Sequence, residues 1–312
     1  MTKLSAAQFE KARGYMKTQA QDIDRAMFEH FFENKPLDDV VCVLAAYQNA
    51  DGGFGRLDFD FEYPYSCLKH TESACRYIFA LDKIPSGHLM IRKLIAYITE
   101  NYNTVRGEWD NLTVPAINDY PHAPWWHHNQ PAVFIPKDRT SLIEHYDANT
   151  NSALAGMLMK YGSLVPKELL AAVQSVVTDK INSDYAFFQY GMLSDIYFVN
   201  ALTDDNLKSE LLETLMGDGK LISLLDGKWG TENAYKLCHW IDTPKHPYYA
   251  LYEKAVNDNL DFIISSQEQD GSWAPSWSWG EPAVWERVVK RIKGTLTYNF
   301  LWALKKFGCI EV

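Results

Sequence analysis

Residues 266–273 read SQEQDGSW directly after an apolar run, and residues 47–54 read YQNADGGF. Gln267, Asp270, Gly271 and Trp273 therefore keep the order and spacing of Gln48, Asp51, Gly52 and Phe54. A polar–glycine–aromatic phrase written twice, so far apart, points to an architecture that repeats. Weaker copies occur as Gly107-Glu-Trp109 and Gly227-Lys-Trp229. The long interval between these two leaves room for a copy that has lost its signature near Tyr161-Gly162.

The period around the phrases is helical. Residues 5–33 carry Phe9, Ala12, Tyr15, Met16, Ile23, Met27, Phe28 and Phe31, mostly three or four apart. Similar stretches run near 37–48, 70–81, 87–102, 148–161, 166–179, 184–201, 205–216, 246–266 and 284–307. Pro36, Pro85, Pro166 and Pro247 stand at or just before helix starts, where a missing N–H costs least. No segment alternates with period two between hairpin turns, so the chain is all-α. Helices rich in small residues follow the signature loops: TESACRYIFAL (71–81), TNSALAGMLMKYG (150–162) and TLTYNFLWALKKFG (295–308). Each unit then reads as outer helix, signature loop, inner helix. Five or six such hairpins would close into an α/α toroid forming a single domain over residues 1–312. Its long pocket-side loops would lie near 49–69, 103–147, 226–246 and 271–284.

On these residues the chain resembles the terpenoid-cyclase and protein-prenyltransferase superfamily, as a small member with one domain. That superfamily repeats a QW motif, aromatic-Leu-x3-Gln-x(2–5)-Gly-x-Trp. Phe262-Ile263-x3-Gln267-x3-Gly271-Ser-Trp273 matches it with Ile for Leu, and residues 43–54 match through Val43-Leu44, Gln48, Gly52 and Phe54. The third copy keeps Gly107 and Trp109 but has Tyr102 where Gln would stand. Gln48, Gly52, Phe54, Trp109, Trp229, Gln267, Gly271 and Trp273 are assigned structural roles. Gln would bond backbone groups orphaned at helix ends, Gly would make the turn, and the aromatic would pack on that cluster.

Composition narrows the function. The 312 residues are 47% hydrophobic, 14% aromatic and 22% charged, which suits a packed globular chain. A formal net charge of −10 works against a nucleic-acid partner, which requires a basic face. No apolar run approaches the roughly 20 residues that span a bilayer. The N-terminal residues lack the apolar core of a signal peptide. Five cysteines, odd in number and without CxxC spacing, then fit a reducing cytoplasm.

Chemistry is expected in the loops preceding the inner helices. Residues 58–62, DFDFE, alternate Asp58, Asp60 and Glu62 with Phe59 and Phe61. An extended strand would put the three carboxylates on one side, where crowding raises a pKa and prepares a general acid, unless the segment is simply a solvated acidic face. Asp147 is the fourth catalytic candidate, paired with His145 or merely capping a helix. His70, Trp125, Trp126, His127, His128, His239, Trp277 and Glu281 are candidate ligand contacts, with plain packing or capping as the alternative. Zinc held by Cys238, His239 and Asp242 is the lesser alternative to a buried thiol and a surface or capping His, since Lys236 stands where the resemblance implies the Asp of an Asp-x-Cys pair. DFDF likewise lacks the fourth residue of the Asp-x-Asp-Asp acid motif of squalene-cyclase-like enzymes. No metal or cofactor is assigned.

The resemblance implies an isoprenoid enzyme or binder, holding a small molecule in an aromatic-lined central pocket. A carbohydrate-active toroid, hydrolase or lyase, is the alternative, because Trp platforms and paired carboxylates suit sugars. A ring that binds a ligand without catalysis is the third reading.

Overall fold

The computed structural model describes residues 2–81, 84–110, 112–128, 147–183, 189–217, 229, 237–280 and 282–311. Those residues form α1 (Ala6–Thr18), α2 (Asp22–Glu33), α3 (Leu37–Ala45), α4 (Leu68–Ala80), α5 (Leu89–Glu100) and α6 (Ala148–Lys160). They continue with α7 (Lys167–Asn182), α8 (Gln189–Ala201), α9 (Asp205–Met216), α10 (Tyr249–Ser265) and α11 (Pro282–Lys306). Among the described residues β pairing is confined to isolated bridges. The all-α class follows. No helix among them is long and apolar enough to cross a membrane.

The chain divides into two compact units, Met1–Val43 with Met216–Val312, and Leu44–Leu215. The first joins the two ends of the chain: the Leu4 N–H donates to Cys309 O at 2.8 Å, and the Glu311 N–H to Leu4 O at 2.9 Å. The single helical stretch expected over 5–33 is broken into α1 and α2 at Gln19–Gln21. There Ala20 is buried so closely against α11 that a Cβ on Gly294 would lie 3.1 Å from the Ala20 Cα. Tertiary contact overrides a continuous helical period.

Both units contain the same device. In the second, Gln48 Nε2 donates to Gly52 O at 3.0 Å and to Met90 O, at the start of α5, at 2.9 Å. In the first, Gln267 Nε2 donates to Gly271 O and to Gln8 O, at the start of α1, both at 3.0 Å. Gly52 and Gly271 have φ of 94° and 90°. A Cβ on either would stand 2.3 Å from backbone atoms of Lys93 or Lys11, each three residues beyond the carbonyl that its Gln bonds. Left-handed conformation and close approach both demand glycine here. Carbonyls near helix C-termini are met by tryptophan rather than by Gln: Trp109 Nε1 donates to Ile98 O at 2.8 Å and Trp273 Nε1 to Ile263 O at 2.7 Å.

A further bond recurs three times. The backbone N–H of the loop aromatic donates to a polar side chain on the next small-residue helix: Phe54 to Thr71 Oγ1 at 3.1 Å, Trp109 to Asn151 Oδ1 at 2.8 Å, and Trp273 to Thr297 Oγ1 at 3.2 Å. Each of those side chains in turn donates to the carbonyl four residues earlier on its own helix, at Cys67, Asp147 and Lys293. Tyr102, in the Gln position of the Trp109 copy, stacks edge-on against Trp109 with centroids 4.8 Å apart. Gly227 of the fourth copy lies outside the described residues, while Trp229 is buried.

Two of these helices carry no solvent face over much of their length. Leu68–Cys75 of α4 and Thr150–Leu158 of α6 are buried residue by residue, which is why both are built of small and polar side chains. The α6–α8 crossing is tight: a Cβ on Gly156 would lie 2.9 Å from the Phe198 Cα, and one on Gly191 would lie 2.7 Å from the Ala148 Cβ.

Two glycines test this reading. Gly271→Ala should lower stability by more than about 2 kcal/mol or prevent folding, through both its φ and its clash with α1. Gly14→Ala, in the exposed interior of α1 with nothing within 4 Å of its Cβ position, should raise stability by roughly 0.5–1 kcal/mol. Urea unfolding measures both, and equal effects at the two sites would refute the assignment.

Candidate functional site

The chemistry-bearing residues of the second unit gather where the 56–67 loop meets α4. The loop does not run extended through its carboxylates. The Asp60 N–H donates to Asp58 Oδ1 at 2.8 Å, closing a tight Asx turn, and Arg56 is left-handed with φ 62°. Phe61 and Tyr63 go inward while Glu62 stays half-buried, its N–H donating to Pro121 O at 2.8 Å. The single-sided row of Asp58, Asp60 and Glu62 is thus replaced by a turn, because an Asp side chain competes for backbone N–H groups.

Asp58 is a buried anchor. It accepts from Ser73 Oγ at 2.9 Å, lies 3.7 Å from Lys69 Nζ, and its own N–H donates to His70 Nδ1 at 2.9 Å. Lys69, His70 and Ser73 are spaced on α4 so that one turn of helix presents all three. His70 is fully buried with its ring 4.2 Å from that of Phe61, and its Nδ1 supports the loop by accepting the Asp58 N–H.

Asp60 differs from Asp58. Residues 112–128 dock over it: the Ala123 N–H donates to Asp60 O at 2.7 Å, and Phe61 and His122 form a bridge. Pro124 opens a one-turn 3-10 helix, Pro124–Trp126, from which Trp125 Nε1 and Trp126 Nε1 both donate to Asp60 Oδ2 at 3.0 Å. The other oxygen, Oδ1, is buried without a hydrogen-bond partner among the described residues. Burial, followed by the charge of Asp58, pushes the Asp60 carboxyl up to about 6, against the two indole N–H groups and Lys69.

Behind this pair runs a buried ionic chain. Lys69 Nζ donates to Glu72 Oε2 at 2.7 Å, Arg76 Nε pairs with Glu72 Oε1, and Arg76 also donates to Asn149 Oδ1 at 2.7 Å. Burial works to lower the Lys69 ammonium, but Glu72 and then Asp58 outweigh it and hold the group charged. Asp147 caps α6, accepting from the Asn149 N–H at 3.1 Å and Thr150 Oγ1 at 2.7 Å, which is the capping alternative of the sequence reading. Asp195 of α8 is a second perturbed carboxyl. Burial pushes it up to about 7, opposed by the Ser152 hydroxyl and reinforced by Asp147.

Asp58, Asp60, His70, Trp125 and Trp126 are thus in direct contact through these bonds, with Asp147 joined through the charges around Lys69. His127 and His128 continue the same loop, half-buried; the His128 N–H donates to Asn118 Oδ1 at 2.8 Å. His239 and Trp277 belong to the first unit, where His239 stacks on Phe300 with centroids 5.8 Å apart. His145 and Glu281 lie outside the described residues. Cys238 is buried, its N–H donating to Asn259 Oδ1 at 3.1 Å, and Asp242 accepts from Lys306 Nζ at 2.8 Å. Among the described residues no three His, Cys, Asp or Glu side chains gather as metal ligands. An open cavity of about 310 Å³ in the first unit has a charged lining, including Asp22, Arg25, Glu29, Lys35 and Asp39, with no aromatic wall.

Sequence reasoning passed over Lys69, Glu72, Arg76, Ser152 and Asp195. The first three were signalled by opposite charges at i, i+3 and i+4 in a helix of otherwise small residues, and Asp195 by standing alone in the apolar run of α8. Comparison with family models, curated proteins and solved structures found no match.

Two measurements follow from this geometry. Because Asp60 binds its proton more tightly folded than unfolded, its contribution to stability falls as pH rises from about 4 through about 6. Asp60→Asn should therefore melt a few degrees above the wild type at pH 7.5, with the gap closing towards pH 4. Thermal scans at both values decide this, and a gap independent of pH would overturn it. Glu72→Ala strands Lys69 and Arg76, and should cost about 3–5 kcal/mol in denaturant unfolding.

Proposed function

We propose that the chain is an α/α toroid of the terpenoid-cyclase and prenyltransferase type, and that Asp60 acts as general acid on an isoprenoid. The observation that carries the reading is the Asp60 carboxyl itself. One oxygen is held by two indole N–H groups, the other is buried and unpartnered, and the group stays partly protonated near pH 6. Phe61, Tyr63, Tyr120 and Trp126 pack together in the same neighbourhood, an apolar and π-rich setting that suits a polyene and positive charge developing on it. Support for the ring comes from the repeated Gln–Gly–aromatic device and from α4 and α6, buried as inner helices of such a ring would be.

The sugar reading needs a second free carboxyl. Asp58 cannot supply it, since Ser73, Lys69 and the Asp60 N–H occupy its oxygens. Asp195, pushed up to about 7, is the residue that would serve that alternative.

Native mass spectrometry and product analysis after incubation with squalene-like polyenes, isoprenoid diphosphates and an oligosaccharide mixture test the proposal. Turnover of an isoprenoid should decline above about pH 6 as Asp60 loses its proton. It should drop about 10²-fold or more in Asp60→Asn, and weaken in Trp126→Ala. Sugar cleavage with every isoprenoid ignored would replace this reading by the alternative.

A further inference from the structure

Beside the two indoles that hold Asp60 lies a histidine pair that the general-acid reading leaves unused. His122 Nδ1 is 2.6 Å from Tyr120 O, and His122 Nε2 is 2.9 Å from His127 Nδ1, the rings being 5.1 Å apart and 28° from parallel. A carbonyl oxygen only accepts, so His122 Nδ1 must carry a proton and donate it. In the neutral ring the proton on Nδ1 leaves Nε2 as a lone pair, and that lone pair can only receive the N–H of His127 Nδ1. His127 is thereby fixed with its proton on Nδ1 and a bare lone pair on Nε2. Among the described residues nothing bonds that nitrogen.

His127 directly follows Trp126, and the turn that carries it is tied down by Ala123 N–H to Asp60 O and by His127 N–H to Pro124 O. The loop therefore combines two complementary groups. Asp60 in its acid form offers an O–H donor, and His127 offers an acceptor.

Resting on the Asp60 reading, we propose that His127 selects the polar end of the ligand, which carries a neutral hydroxyl. The hydroxyl hydrogen is donated to His127 Nε2, and its oxygen accepts from the Asp60 carboxyl. A methyl ether retains the oxygen but leaves the His127 lone pair unmet. A diphosphate brings only acceptors and negative charge to the His127 lone pair, close to the Asp58 carboxylate. The inference narrows the isoprenoid class to alcohols.

The first test needs no ligand. Long-range 1H–15N correlation on the ¹⁵N-histidine-labelled protein at neutral pH should show His122 and His127 both protonated at Nδ1, the minor form of a free imidazole. In His122→Phe the ordering donor–acceptor pair is lost, and His127 should revert towards the Nε2–H form. A His127 protonated at Nε2 in the wild type overturns the proposal.

The second test compares calorimetric binding of farnesol, farnesyl methyl ether and farnesyl diphosphate. The wild type should favour the alcohol over the ether by about tenfold, the loss expected for one unmet hydrogen bond. His127→Phe should remove most of that preference. Equal affinity for alcohol and ether in the wild type, or an undiminished preference in His127→Phe, refutes the assignment. Should no farnesyl compound bind, the isoprenoid reading falls, and the tautomer measurement still decides the role of the histidine pair.

Discussion

One hydrogen bond, made three times, organises the described structure: the loop aromatic gives its backbone N–H to a side chain on a buried helix. Thr71, Asn151 and Thr297 receive it, and each passes a donor back to the carbonyl one turn earlier. The bond sets how far each signature loop lies from the helix that follows, whatever the length of chain between them. From Phe54 to Thr71 that length is 17 residues and from Trp109 to Asn151 it is 42, yet the contact is the same. The longer connection can therefore carry the docking segment 112–128 without disturbing the frame.

This frame explains where polar chemistry can sit. A helix buried on every face would ordinarily be apolar, but α4 presents Lys69, His70, Thr71, Glu72 and Ser73 in succession. Each has a partner that compensates for lost water, as interior polar groups require. Lys69 and Arg76 close on Glu72, Ser73 closes on Asp58, and Thr71 serves the loop aromatic. Beside this set, Asp60 Oδ1 is buried without a hydrogen-bond partner among the described residues. The two indoles hold one oxygen of Asp60 and leave the other without a partner, whereas both oxygens of Asp58, only two residues away, are occupied.

The proposed acid and the proposed selecting residue then share the same short turn. Pro124–Trp126 aims two indoles at Asp60, and the next residue, His127, has its Nδ1 2.9 Å from His122 Nε2, whose ring is held in turn against the Tyr120 carbonyl. Neighbours that fix such groups in advance would reduce the ordering needed on binding.

The amino-acid sequence by itself determined the helices, because apolar spacing and the prolines at helix starts are local signals; the starts of α6 and α9, for instance, fall at the expected residues. It also located the Gln48 and Gln267 phrases, since glycine at positive φ has a local signature. Aromatic and acidic residues of the 58–62 and 125–128 loops were legible as chemistry-bearing types. Tertiary structure alone decided their roles. Whether an Asp anchors or reacts depends on which side chains from other segments fill its oxygens, and Ser73 and Lys69 reach Asp58 while Trp125 and Trp126 reach Asp60. Neither partner set can be read from DFDFE, because a carboxyl's protonation is set by burial and by charges brought near it through folding, not by its neighbours along the chain.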